Sequence, residues 1–111
     1  MSNPIYTSNS LVPILTGALV TGVGSWIDVS QYKPGASFTA FLSGGVSPAA
    51  TVSIDHSLDQ VNILPAGVGT LSPTSSAPSN INSVAPLRFV RANVTAISGG
   101  GALTVQMGAA T

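Results

Sequence analysis

The chain predicts an all-β fold: an antiparallel β-sandwich, jelly-roll or immunoglobulin-like, of about 7–8 short strands. Three observations carry this. Twelve glycines and eight prolines interrupt the chain every few residues, and strong helix formers other than alanine and leucine are scarce. Between the interruptions, apolar and polar residues alternate with the period of a strand. The 111 residues suit one domain, and the absence of cysteine leaves packing and backbone pairing to hold it.

Residues 1–10 read as an arm with Ile5 and Tyr6 as its only anchors, and residues 11–111 as the sandwich. Residues 11–15 are a weak strand candidate. In residues 23–29, Val23, Ile27 and Val29 share one face, and Trp26 and Asp28 the other. Residues 37–43 set Phe38, Ala40 and Leu42 against Thr39, Phe41 and Ser43. Residues 51–57 set Val52, Ile54 and His56 against Thr51, Ser53, Asp55 and Ser57. Residues 61–64 and 68–71 are two further weak candidates. Residues 73–86 are polar and punctuated by proline, which predicts a long surface loop. Residues 87–97 form a long strand with Val90, Ala92, Val94 and Ala96 facing one way and Phe89, Arg91, Asn93, Thr95 and Ile97 the other. Residues 102–107 turn Leu103, Val105 and Met107 to the core. Ser43-Gly44-Gly45 and Ser98-Gly99-Gly100-Gly101 each separate two strong strands and read as hairpin connections.

Charge is the unusual feature. Only Lys33, Arg88, Arg91, Asp28, Asp55 and Asp59 are charged, the net charge is zero and glutamate is absent. Sixteen serines and ten threonines supply the polar surface instead. Three scattered cations cannot build a phosphate-binding face, so nucleic acid is excluded as a partner. The most apolar stretch, residues 11–20, is about half the ~20 residues of a membrane-spanning helix and contains Pro13, so no membrane partner is expected. The opening residues lack the basic segment of a signal peptide. A near-neutral surface has little electrostatic protection against association, which predicts a homo-oligomer.

Catalytic signals are weak. Asp55, His56 and Asp59 are the one cluster of acids with a histidine, but neighbouring strand residues point to opposite faces. They read as a strand-end histidine with turn-forming aspartates. No G-x-S-x-G elbow is present, and neither Gly22-Val23-Gly24 nor Gly67-Val68-Gly69 leads into a helix as a phosphate loop does. The chain therefore reads as a non-enzyme without metal or cofactor. Arg91 in a row with Phe89 and Asn93, and Trp26 opposite Ile27, are instead candidate interface anchors. Asn93-Val94-Thr95 matches a glycosylation acceptor, but its place inside a strand discounts it.

The strings GSWIDVSQYKPGASFTAFLSGG, ATVSIDHSLD and APLRFVRANVTAISGGGALTVQMG resemble small β-sandwich proteins of tailed-bacteriophage virions, over most of residues 22–108. The resemblance implies a structural role: a capsid decoration or cement protein on the capsid exterior. Such a protein binds joints between major capsid protein subunits, commonly as a homotrimer. A tail, fibre or baseplate component is the alternative within that class. A carbohydrate- or cell-surface-binding module, with Trp26 and Tyr32 stacking on sugars, is the alternative outside it.

Overall fold

The alternating runs fold into two antiparallel sheets whose inner faces share one core. The computed structural model describes residues 9–30, 36–84 and 86–110, and among these there is no helix. The strands are β1 (Asn9–Ala18), β2 (Gly22–Val23), β3 (Ile27–Asp28), β4 (Ala36–Ser43), β5 (Ala49–Ser57), β6 (Ile63–Leu71), β7 (Ser79–Val84), β8 (Phe89–Ser98) and β9 (Ala102–Ala110). Sheet A has the order β1-β9-β4-β7; sheet B has β2-β8-β5-β6, with β3 also paired to β8. If β2 and β3 count as one interrupted strand, this is a sandwich of four strands on four. Every chain step crosses between the sheets except β5 to β6, the winding of a jelly roll rather than of an immunoglobulin domain.

The core is built from small and medium side chains. Phe38 is its one buried aromatic ring among the described residues, in a cluster with Val52, Ile54, Leu71, Val90, Val94, Leu103, Val105 and Met107. Phe38, Val52, Ile54, Leu103, Val105 and Met107 are on the apolar faces expected of residues 37–43, 51–57 and 102–107. Pro13, which lacks a donor, sits on β1, where one edge of the strand has no ladder to supply.

Several sequence expectations are corrected. The glycine connections are not hairpins: residues 44–48 carry the chain from sheet A to sheet B, and residues 99–101 carry it back. A strand–Gly-Gly–strand pattern looks the same for a hairpin and for an arch between sheets. Here the two arches pack backbone to backbone, with the Val46 N–H donating to the Gly99 carbonyl at 2.7 Å. A methyl group on Gly45 would lie 2.3 Å from that carbonyl oxygen, so the close approach requires glycine.

The expected loop at residues 73–86 contains β7, a polar edge strand paired to β4. It anchors through Ile81, which packs against the core. The expected strand 23–29 is two short strands separated by residues 24–26, where the Gly24 N–H donates to the Ala92 carbonyl. The weak candidates 61–64 and 68–71 are joined in one strand, β6, which begins at Ile63 and has an irregularity opposite Asp55; Val61 and Asn62 belong to the preceding turn. In β8, Ala96 and Ile97 exchange their expected faces. Thr51 pairs with Ala96 and Val52 with Val94, so Thr95 is an extra residue. This bulge reverses the alternation, exposing Ala96 and turning Ile97 toward the core.

Candidate functional site

The outer face of sheet B gathers most of the candidate side chains. The β5–β8 register sets Ser53 opposite Asn93, Asp55 opposite Arg91 and Ser57 opposite Phe89. Each is an outward position on its strand, yet Asp55 is only 1% exposed and the Arg91 side chain 19%. The bulge of β6 accounts for this: one residue of β5, Asp55, faces residues 65–68. Ala66, with φ of +52°, donates its N–H to Asp55 Oδ1 at 2.8 Å. Ser53 Oγ donates to the same oxygen at 3.1 Å. Arg91 Nε donates to Oδ2 at 3.1 Å. The carboxylate thus replaces a ladder partner for the bulged backbone, and arginine neutralises it.

Trp26 completes the cluster. Its ring lies under the Arg91 guanidinium, 4.6 Å from centroid to Cζ. One ring face is thereby occupied, which removes half of the stacking surface that a sugar would use. Phe89 stands under Arg88 in a similar contact at 5.0 Å, and Arg88 pairs with Asp28 at 3.2 Å. The latter pair is solvent-exposed and contributes little. Asn93 is half-buried beside the cluster. The arginine chosen as an interface anchor is therefore engaged within its own chain, a relation hidden in the sequence because Asp55 and Arg91 meet only through strand register.

Asp55 is accordingly not a turn-forming aspartate. Asp59 is one: its carboxylate accepts from the Val61 and Asn62 N–H groups and from Asn62 Nδ2 in the β5–β6 turn. These bonds lower its pKa to about 2. His56 points away from Asp55, and its Nδ1 accepts the Leu87 N–H at 3.1 Å. Burial pushes the His56 pKa down, against an opposing pull from Asp55. Among the described residues no three potential metal ligands cluster. Ile5, Tyr6, Tyr32 and Lys33 lie outside the described residues.

The ends of the sandwich present a different surface. At the end formed by residues 19–21, 44–48, 72–78 and 99–101, no residue is charged. Val46 there is 83% exposed, and Leu19 and Val20 are also well exposed. At the opposite end, Leu58, Val61 and Leu64 are exposed around the Asp59 turn. Sequence patterning missed these residues because a lone valine in a glycine-rich loop carries no periodicity.

Comparison with protein-family models, with curated proteins and with solved structures finds no match to this chain.

Proposed function

We propose that this chain is a non-enzymatic structural protein of a bacteriophage virion, seated on the capsid exterior at joints between major capsid protein subunits. The observation that supports this reading is the charge-free end of the sandwich, where Leu19, Val20 and Val46 project. Burying such a surface requires no desolvation of ions and contributes roughly 25 cal/mol per Å² of apolar area. Many copies repeated on a shell would build occupancy from a modest contact in each. The resemblance of the three sequence strings to virion β-sandwich proteins points the same way.

The test is to mix the purified protein with undecorated particles and measure occupancy from low to molar salt. An apolar contact keeps its occupancy across that range, because screening acts on charges. Val46→Asp, which leaves the core untouched, is expected to abolish binding. Release by moderate salt, or full binding by Val46→Asp, would refute this contact surface. No binding at any salt would move the assignment to a tail, fibre or baseplate component, or to glycan recognition.

A further inference from the structure

The charged residues that the structure describes all lie away from sheet A. Asp28, Asp55 and Arg91 lie on strands of sheet B; Asp59 and Arg88 lie in the connections at one end. The four strands of sheet A contain no charged residue at all. Their outer face is a graded row of small and amide side chains. Pro13, Gln106, Thr39 and Asn80 stand on one rung across all four strands. Leu11, Gly108 and Ser37 form the next rung, and Thr104 faces Phe41 on the other side. Leu11 and Phe41 are exposed.

We propose that this face is where a second copy of the chain packs, sheet A on sheet A about a two-fold axis. Self-pairing is a chemical requirement as well as a geometric one. In a two-fold contact residue i meets residue j and j meets i, so ionic groups on the patch must be desolvated and matched in sign across the axis, whereas neutral groups need only pair their hydrogen bonds. Threonine, serine, glutamine and asparagine each donate and accept, so a row of them is complementary to its own copy. The Thr39 hydroxyl already donates to Asn80 Oδ1 at 2.9 Å, which orients the amide on the surface. The outer face of sheet B lacks this property, because Arg88 and Asp28 stand at its margin and a bulge covers Asp55.

Area decides how strong the pairing is. Strands of 10, 9, 8 and 6 residues, about 4.8 Å apart at ~3.3 Å per residue, give a footprint of roughly 520 Å². Two copies then bury on the order of 1,050 Å², close to the ~1,000 Å² that separates specific interfaces from incidental contacts. The dimer is therefore weak and concentration-dependent. The scarcity of charge predicts self-association; on this geometry it takes a two-fold form in place of a trimer. The inference does not depend on which shell or tail the protein joins.

Sedimentation velocity from low to several hundred micromolar protein tests it. The unmodified chain is expected to pass from monomer to dimer with rising concentration. Thr39→Lys and Gln106→Lys each place like charges opposite one another and are expected to remain monomeric throughout. Thr70→Lys, at an exposed position on sheet B, dimerises as the parent does. Mixing Thr39→Lys with Thr39→Asp restores a dimer, which a folding defect would not do. A monomer at every concentration overturns the proposal, as does dimerisation undiminished by both lysines. A mass of three chains, insensitive to both, overturns it as well.

Discussion

Removal of Arg91 is expected to destabilise the domain far more than removal of Arg88. Asp55 is 1% exposed, and its charge is balanced by Arg91 Nε at 3.1 Å. In Arg91→Ala the carboxylate keeps its bonds from Ser53 and Ala66 but loses its counter-ion. Breaking one side of a buried pair costs about 3–5 kcal/mol, and the lower end applies because the guanidinium retains some contact with water. Loss of the stack on Trp26 adds about 0.5–1 kcal/mol. The sum, ~3–4 kcal/mol, is a large share of the roughly 5–15 kcal/mol that holds a domain together. With a urea slope of about 2 kcal/mol per M, the unfolding midpoint falls by ~1.5–2 M. Arg88→Ala, which breaks only an exposed pair, is expected to move it by less than ~0.5 M. The pair variant Arg91→Met with Asp55→Asn is expected to recover part of the loss, since no uncompensated charge remains and the amide oxygen can still accept the Ala66 N–H. Equal midpoints for Arg91→Ala and the parent would refute the role assigned to this pair, and with it the explanation for the bulge of β6.

Three further outcomes follow from local geometry. His56 binds its proton less readily folded than unfolded, so stability is full above the ordinary pKa of 6.5 and falls as pH drops below it; thermal melting at mildly acid pH should show this, and His56→Asn, whose amide oxygen can accept the Leu87 N–H, should flatten the dependence. Gly44→Ala meets open space at φ of +77° and is expected to cost about 1–2 kcal/mol, whereas Gly45→Ala, at φ of +73° with a carbonyl in its path, should cost clearly more or fail to fold, as denaturant titration of both will show. Asp59→Asn should speed hydrogen exchange at Val61 and Asn62 while leaving the central strands protected, and in the parent the same turn should loosen as pH falls from 3.8 toward about 2.

The all-β class and most inward faces were legible because period-two alternation is a local property. Phe38, Ala40, Val52, Ile54, Leu103, Val105 and Met107 could be assigned without knowing which strand lies beside which. What was not legible depends on pairing. Thr95 looks like any other outward residue until Val94 and Ala96 are seen to share neighbouring partners on β5, and only then does Ile97 turn inward. Edge strand β7 has one described apolar anchor, Ile81, too little alternation to separate it from a proline-bounded loop. Asp55 and Arg91 share a parity, but the register that joins them is set by the whole of β5 and β8. Phe89, Arg91 and Asn93 share one row of β8 as the alternation expects, but the row alone reveals neither the Asp55 partner of Arg91 nor its stack on Trp26.

The position of β9 sets the order in which sheet A can assemble. Among the described residues it is the only strand paired with β1, and it also pairs along β4, so it is inserted between two strands made long before it. Asn9 must wait for Ala110. At synthesis rates of about 5–20 residues per second, that interval is roughly 5–20 s, during which β1 has no ladder and Val12 and Ile14 have no settled core to pack into. β4 can meanwhile pair with β7, and sheet B can close, but half of the core stays open. A nascent chain of this topology therefore depends on whatever shields β1 during elongation, and a premature stop before residue 102 would leave two strands with nothing between them.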